Sequence, residues 1–443
     1  MTTFDTLHDD IAANAIRRTQ GRRSRVASTL GRVPPGLALS WLILATVFLW
    51  AVAPSLFTGY NPLEGVGGAQ LKRPSAEHLL GTDALGRDLY ARIVHGDGRV
   101  TASATLLVAS GRIVRIDESA AADGVPARRT IEAAGRTVVP GLVDAHVHFQ
   151  PSMQAQLLES GVTSVRDLGN GIDGTGSGRP EAIVAGDFTS ARAAVRQLVE
   201  SGADVIAVGP RLTPPILAIV VQESAARGVP VAADLGLTTA IEAASFGVTS
   251  VEHLSGIVEA AVALSGHAPR FRGSSEMEWI ASERDWTAVP PENLVRVAHA
   301  LLDRGITLVP TLVRQEIRLR AGGVTPEAQI PLAVQQRFVR DYVQMGGRVA
   351  AGTDAGTASV APGASLLREL ALYVEGGMAP AAALRTATVD AAALLGISSR
   401  AGTIAIGKDA DLLIVDGDPL RDISALRRVI SVLRRGAIVK SRD

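Results

Sequence analysis

Short apolar runs alternate with helical patterns through the centre of the chain. Helical patterns such as TSARAAVRQLVESG and PENLVRVAHALLDRG separate the runs. Strands without polar alternation, each followed by a helix, predict a parallel sheet covered by helices, and hence an α/β fold of the (β/α)8-barrel type. The candidate strands between residues 142 and 354 are LVDAHVHF, VTSVRDL, ADVIAVG, VPVAADL, VTSVEHL, ITLVPTL and RVAAGTD.

One corner of the predicted barrel is short of residues. The chain between Asp167 and Asp204 must hold a helix, the third strand and another helix. Residues 171–178 are rich in glycine, which leaves EAIVAGDF as the third-strand candidate. The sequence therefore predicts a barrel that is abbreviated or irregular around strand 3.

Strand-rich segments flank the predicted barrel, which we place at 140–386. The segments TLLVAS and GRIVRIDE precede it, and DLLIVDGD and VISVLRRGAIVKS follow it. Both groups alternate short strands with glycine-rich or charged turns. We therefore predict one small β-domain assembled from 95–139 and 387–443.

The first hundred residues have a different pattern. Residues 36–57 carry no charged side chain, and about 20 apolar residues are enough to span a bilayer. We predict a transmembrane helix at 34–57, a basic cytoplasmic tail at 1–33 and a linker at 58–94. The Arg-rich side should stay in the cytoplasm, which makes the protein a single-pass membrane protein with an extracytoplasmic remainder. A buried core helix and a cleaved signal peptide are the alternatives.

Composition narrows the chemistry. The formal net charge is zero, so no basic surface indicates nucleic-acid binding. Cysteine is absent, so any metal must be held by histidine and carboxylate side chains. Lysine occurs only at Lys72, Lys408 and Lys440.

Polar residues follow several predicted strands, at the end where such barrels keep their chemistry. In an extended strand, His146 and His148 of Asp-Ala-His-Val-His project to one face, which suits Zn²⁺ or a similar ion. Asp234, His253 and Asp354 follow later strands. Asp167 also ends a strand, and a turn or salt-bridge role is favoured for it over ligation.

Residues 95–443 resemble the amidohydrolase superfamily, nearest to its imidazolonepropionase and prolidase-like branch. The strings that carry the resemblance are PGLVDAHVH, GADVI, VEHL, GTDAG and GTIAIGKDADL. The resemblance implies that His146, His148 and Asp354 bind a first metal and that Asp354 accepts a proton from water. It also implies a second metal, held by histidines on strands five and six and bridged by a carboxylated lysine on strand four.

The chain departs from that pattern at two positions. Ala207 stands where the resemblance implies the lysine, and Asp234 stands where it implies the strand-five histidine. No lysine lies between residues 73 and 407, so no displaced lysine can substitute. We therefore expect one divalent metal, with Zn²⁺ favoured over Mn²⁺ or Fe²⁺, and no carboxylated lysine. The candidate metal ligands are His146, His148, Asp354, His253 and Asp234.

These features predict a metal-dependent hydrolase of amide, cyclic amide or peptide-like C–N bonds in a small molecule. Asp354 is the expected proton acceptor, and His253 is expected either to complete the metal shell or to polarise the substrate carbonyl. The alternative is a catalytically degenerate barrel that only binds a ligand. The oligomeric state stays open.

A second resemblance covers about residues 20–95. The strings FTGYNP, from Phe57, and HLLGTDALGRD, from His78, resemble the start of a dipeptide or oligopeptide ABC-transporter permease, C-type subunit. The resemblance implies peptide-transporter subunits as partners and a permease component as a further alternative. Conduction by this chain alone is not expected, because no later stretch is long and uncharged enough to span a membrane.

Overall fold

The structure is a computed structural model that describes most of the chain from residue 105 onward. Among the residues that the structure describes, no helix is long and apolar enough to cross a membrane. The predicted tail, transmembrane helix and linker at 1–33, 34–57 and 58–94 lie outside the described residues. Apart from Thr105 and Asp117, the described residues belong to one compact unit. They are residues 105–117, 129–131, 133, 136–169, 188–271, 282–321, 326–357 and 359–441.

The described strands coincide with the apolar runs in the sequence. They are β1 (Thr105–Ala109), β2 (Arg112–Asp117), β3 (Thr137–Pro140), β4 (Leu142–Val147), β5 (Val162–Asp167), β6 (Ile206–Val208), β7 (Val231–Ala233), β8 (Ser250–Glu252), β9 (Thr307–Val309), β10 (Arg348–Val349), β11 (Leu412–Val415), β12 (Val429–Arg434) and β13 (Ala437–Ser441).

Helices follow the central strands, as the alternation predicted. They are α1 (Gln154–Glu159), α2 (Phe188–Glu200), α3 (Pro214–Ala225), α4 (Ala240–Phe246), α5 (Ile257–Leu264), α6 (Asp285–Ala288), α7 (Pro291–Leu302), α8 (Leu312–Ala321), α9 (Pro326–Gln344), α10 (Ala364–Glu375), α11 (Pro380–Thr386) and α12 (Val389–Leu394). Short 3₁₀ turns lie at Pro151–Met153 and Ile423–Arg427.

The central strands form a parallel, barrel-like wall. Strands β10, β9, β8, β7 and β6 hydrogen-bond in that order, and β4 pairs with β5. The amide of Ala145 in β4 donates to the carbonyl of Ala351 at 2.8 Å, which joins β4 to the chain that follows β10. The wall is therefore continuous from β6 round to β5, and the fold is the barrel type that the sequence predicted. The third-strand candidate falls largely within residues 170–187, outside the described residues.

Apolar faces hold the helices against this wall. In α2, Ala191, Val195 and Leu198 recur at helical spacing and are buried. They share one core cluster with Ile206 and Val208 of β6. Short, fully buried apolar strands are typical of a parallel sheet covered by helices.

A four-stranded antiparallel sheet draws on both ends of the hydrolase region. Its order is β13, β12, β11 and β3, and Leu412 of β11 is paired with Pro140 of β3. The two-stranded sheet of β1 and β2 lies beside it, where the amide of Ile113 donates to the carbonyl of Lys408 at 2.9 Å. Described residues of the two predicted portions, 95–139 and 387–443, therefore pair in this sheet, and the bounds of a separate β-domain stay a prediction.

Candidate metal centre

Three predicted ligands converge at the carboxyl ends of the barrel strands. His146 Nε2 lies 3.4 Å from Asp354 Oδ1, and His148 Nε2 lies 2.9 Å from the same oxygen. One ligand atom from each of the three residues lies within 4.8 Å of the others. His146 and Asp354 are buried, whereas His148 is partly exposed at the mouth.

This group has the donors that a divalent cation needs. Two imidazoles and a carboxylate are a set that Zn²⁺ and similar ions accept. Both carboxylate oxygens of Asp354 are buried: Oδ1 faces the two imidazole Nε2 atoms, and Oδ2 lies 2.7 Å from Arg314 Nε. One carboxylate oxygen that faces two imidazole nitrogens is an arrangement that a shared divalent cation would fit.

A buried ion pair fixes the orientation of His146. Its Nδ1 lies 2.7 Å from Glu252 Oε2. Glu252 Oε1 accepts hydrogen bonds from Arg166 Nη2 at 2.8 Å and from the Ser250 hydroxyl at 2.5 Å. Arg166 Nε donates to the carbonyl of Ala145 at 2.6 Å, so the chain from arginine to imidazole is anchored to β4. A carboxylate behind a ligating histidine fixes its tautomer and aims the other nitrogen at the metal.

The charges in this group are mutually dependent. Burial alone would raise the pKa of Glu252, but Arg166 and His146 lower it, so the carboxylate is ionised. Burial would lower the pKa of His146, but hydrogen bonds to Asp354 and Glu252 raise it to about 9. Burial likewise opposes ionisation of Asp354, and its two histidine neighbours nevertheless hold its pKa well below the usual range.

Strained backbone brings Asp354 to the two histidines. Asp354 has φ of 67°, and its amide donates to the carbonyl of His146 at 2.8 Å. His253 and Thr311, at the ends of two neighbouring strands, also have positive φ. Left-handed conformations of non-glycine residues are costly and concentrate at functional sites.

Beneath this group, the buried carboxylate of Asp144 ties β4 to the segment that carries Asp354. Its Oδ2 accepts from the Thr353 hydroxyl at 2.7 Å, and its Oδ1 accepts from the Thr353 amide at 3.1 Å. Burial raises the pKa of Asp144 to about 7. Asp144 therefore stabilises the meeting of the first and last strands.

His148 is positioned by the turn after β5. Asp167 Oδ1 accepts from the amides of Phe149 and Gly169 at 3.1 and 3.2 Å, which is the turn role favoured for Asp167. A Cβ atom on Gly169 would lie 1.8 Å from His148 Nδ1. The imidazole therefore packs against a backbone surface that only glycine leaves open.

Two predicted ligands lie outside this three-residue group. The imidazole of His253 lies beside that of His146, with 4.6 Å between ring centroids and the rings tilted by 52°, and its Nδ1 lies 2.7 Å from the Thr311 hydroxyl. Asp234 follows β7 and is half-buried. Ala207 packs in a small cluster with Leu168 and Ala232. Ligation by His253 or Asp234 stays a prediction.

Sequence reasoning missed three charged residues of the site. Glu252 and Arg166 stand next to His253 and Asp167, the residues that the motifs had drawn attention to. The strict alternation of strand faces could have indicated Glu252, since it lies two residues from buried Ser250. Arg314 belongs to no motif, yet its Nε lies 2.7 Å from Asp354 Oδ2.

Comparison with known proteins decides the family. A family model described as the amidohydrolase family matches residues 137–439. The chain belongs to the amidohydrolase family. This confirms the prediction of an amidohydrolase-type hydrolase that acts on carbon–nitrogen bonds.

Relatives and solved structures agree with that assignment. This amidohydrolase is 26% identical over 373 residues to the imidazolonepropionase of Deinococcus radiodurans, a match that covers 74% of this chain and 89% of the relative. A crystal structure of a Xaa-Pro dipeptidase with bound methionine in the active site superposes with a TM-score of 0.58 at 22% identity. That match covers 76% of this chain and 95% of the dipeptidase, and it supports the fold.

The permease resemblance rests on a much shorter match. A dipeptide transport system permease protein of Alkalihalophilus pseudofirmus is 44% identical over 61 residues. The match covers 14% of this amidohydrolase and 20% of the permease protein. It is a similarity of one segment, and partnership with transporter subunits stays a prediction.

Proposed function

We propose that this amidohydrolase hydrolyses an amide, cyclic amide or peptide-like C–N bond of a small molecule at a one-metal centre. The observation that carries the proposal is the convergence of His146, His148 and Asp354, in which one buried oxygen of Asp354 faces both imidazole Nε2 atoms. The similarities to an imidazolonepropionase and to a Xaa-Pro dipeptidase favour cyclic amides and dipeptides as the first substrates to test.

One divalent ion fits the residues present, and Zn²⁺ suits two imidazoles and a carboxylate best, with Mn²⁺ and Fe²⁺ as alternatives. His146, His148 and Asp354 would hold it, and His253 or Asp234 would add a further ligand. Such an ion supplies Lewis-acid polarisation and makes water more acidic. A lysine-bridged pair of metals has no lysine to use, because Ala207 stands at that position.

The chain's own residues supply proton transfer and orientation. Asp354 is ionised and faces the centre, so it can accept a proton from the attacking water and return it to the leaving nitrogen. His253 lies beside His146 and lines a small polar cavity next to the three-residue group, where it can polarise the substrate carbonyl. Arg314 holds the outer oxygen of Asp354, which keeps the inner oxygen toward the histidines.

A non-catalytic binding protein is the second candidate, because Ala207 and Asp234 depart from the family pattern. Incubating zinc-loaded protein with a panel of dipeptides and cyclic amides, and following amine release, separates the two candidates. Hydrolysis that is lost on chelation and in His148→Ala supports the enzyme. Binding without turnover across the panel contradicts it.

Membrane attachment through residues 36–57 is a separate proposal that rests on their lack of charge. It places the hydrolase outside the cytoplasm, as a single-pass protein beside peptide-transporter subunits. An alkaline phosphatase fusion at residue 100 tests this topology. An inactive alkaline phosphatase fusion, together with full activity of a cytoplasmic reporter fused at the same position, would contradict this topology.

A further inference from the structure

A cationic surface lies on the small antiparallel sheets, where Arg112, Arg400 and Arg435 surround the buried carboxylate of Asp409. Arg112 belongs to β2, Arg400 precedes β11, and Arg435 lies in the turn between β12 and β13. Their guanidinium nitrogens lie 4.0, 3.7 and 3.7 Å from Asp409 oxygens. Three segments that are distant in sequence therefore place three positive charges around one negative charge.

Backbone contacts hold these three segments together. The amide of Asp409 donates to the carbonyl of Arg400 at 3.0 Å. Asp409 is also bridged to Arg112 in an antiparallel arrangement. A Cβ atom on Gly111 would lie 3.1 Å from Cβ of Arg435, so the β1–β2 turn packs against the β12–β13 turn. The arginines thus share one part of the surface through the fold itself.

The arginine charges are available to a partner. Between 45% and 65% of each arginine side chain is exposed, and exposed ion pairs at such distances contribute little to stability. Lys408 adds a further cation, whose Nζ donates to the carbonyl of Ala401 at 3.1 Å. The buried carboxylate of Asp411 accepts from the amide of Arg435 at 2.7 Å. Four cations thus stand against two carboxylates, and the described side chains of this surface carry an excess of positive charge.

An exposed aliphatic side chain lies beside the arginines. Ile406 is 65% exposed, more than any other large apolar side chain in the part of the chain that the structure describes. It occupies a turn in which the amide of Lys408 donates to the carbonyl of Ala405 at 3.2 Å. Arg112 Nη1 donates to the carbonyl of Gly407 at 3.3 Å, which places the turn next to the cationic surface.

Val114 extends this apolar contribution. It lies two residues after Arg112 in β2, and Ile113 between them is fully buried, so Val114 and Arg112 share the outer face of the strand. Val114 is 42% exposed. The amide of Gly407 donates to the carbonyl of Ile113 at 2.7 Å, so the turn that carries Ile406 lies directly against β2.

A bilayer uses both properties of this region. Attachment to a lipid surface combines buried apolar area with attraction of cations to anionic headgroups. A nucleic acid or an acidic protein segment would use the charges and leave Ile406 in water. In the chain, residues 58–104 separate the uncharged segment 36–57 from β1, so β1 and β2 are the first described elements after that segment.

We propose that the cationic surface docks on anionic lipid headgroups, with Ile406 and Val114 entering the headgroup layer. Docking of this kind goes beyond the hydrolase function and needs no metal. It also does not require residues 36–57 to span the bilayer. It would hold the barrel at the membrane surface through its antiparallel sheets.

A single fluorescent label tests the docking. The chain has no cysteine, so Ile406→Cys gives full-length protein one site for a small apolar fluorophore. The labelled protein is mixed with vesicles of brominated phosphatidylcholine, with or without phosphatidylglycerol. We expect quenching of the label on the anionic vesicles, little on the neutral ones, and a decrease with added salt because salt screens surface charge. Arg112→Gln and Arg435→Gln should each lower the ratio of docked to undocked label about fivefold, equal to about 1 kcal/mol per arginine.

Two variants provide matched controls. Val295→Cys carries the label on α7, where Val295 is 43% exposed, and this label should stay unquenched on both kinds of vesicle. Arg320 of α8 is 65% exposed, as Arg435 is, and pairs with Glu316 at 2.8 Å, so Arg320→Gln in the protein labelled at position 406 should dock as the native sequence does.

Several results would overturn the lipid surface. They are equal quenching of the labels at positions 406 and 295, equal quenching at 406 on neutral and anionic vesicles, and undiminished docking of both arginine variants. A label at 406 that no vesicle quenches would also overturn it. If polyglutamate then shifted the emission of that label, the cationic surface would be assigned to an acidic protein segment instead.

Discussion

His146 Nδ1 lies 2.7 Å from Glu252 Oε2, and this contact joins β4 to β8 through a buried ion pair. Arg166, from β5, completes the group at 2.8 Å from Glu252 Oε1. The Nε2 atom of His146, which faces Asp354, is therefore oriented by residues behind the imidazole ring. Glu252 is a positioning residue.

Glu252→Gln should weaken the metal centre and the fold together. Outer carboxylate partners of ligating histidines contribute about 10–100-fold to metal affinity, and removing one member of a buried pair costs about 3–5 kcal/mol. Zinc competition with a chromophoric chelator and thermal unfolding measure the two effects. The control is Glu223→Gln, since Glu223 of α3 pairs with Arg192 and Arg196 of α2, away from the site. Equal zinc affinity in the two variants would contradict the positioning role.

Gly169→Ala should disturb His148 with little effect on stability. The added Cβ would lie 1.8 Å from His148 Nδ1, so the imidazole must move from its place beside Asp354. We expect weaker zinc binding by about tenfold, in the range of other outer contacts. Gly228→Ala is the comparison, because nothing lies within 4 Å of its Cβ and only backbone strain at φ of 69° results. Unchanged zinc affinity in Gly169→Ala would refute the packing argument.

Glu369 makes the stability depend on pH. Burial outweighs two backbone donors and raises its pKa from 4.5 to about 8. Because the folded value exceeds the unfolded one, the contribution of Glu369 is complete below about pH 4.5 and is lost as pH rises through 8. The free energy of unfolding of the native protein should therefore fall relative to that of Glu369→Gln between about pH 5 and 8. The slope should be at most about 1.4 kcal/mol per pH unit. Parallel pH profiles of the two proteins would show that Glu369 is ionised in the fold.

Removal of the metal should lower the melting temperature. A ligand that binds only the folded state at 100 times its Kd stabilises by about 2.7 kcal/mol. Calorimetry of the chelator-treated protein, before and after addition of zinc, should show a rise in Tm that grows with zinc concentration. His148→Ala should show little of this rise in Tm, because the substitution removes a proposed zinc ligand. The variant should still fold, because the His148 side chain is partly exposed at the mouth of the barrel. An identical rise in the variant would place zinc elsewhere.

The strands and the candidate ligands His146 and His148 could be predicted from the sequence because each has a local signature. Buried parallel strands are apolar runs, and His146 and His148 lie two apart on one strand. The ion pair of Arg166 with Glu252 spans 86 positions, and the contact of Arg314 with Asp354 joins helix α8 to the segment that follows β10. Only the closure of the barrel brings these residues together, so no local pattern marks them. The left-handed conformation of Asp354 likewise follows from tertiary contacts.

The metal content of the purified full-length protein tests the one-metal centre most directly. Elemental analysis after zinc loading and desalting should find about one zinc per chain in the native protein, and none above background in His148→Ala, with Arg320→Gln retaining the native value. Two zinc ions per chain, or none in the native protein under any loading condition, would contradict a one-metal centre built on His146, His148 and Asp354.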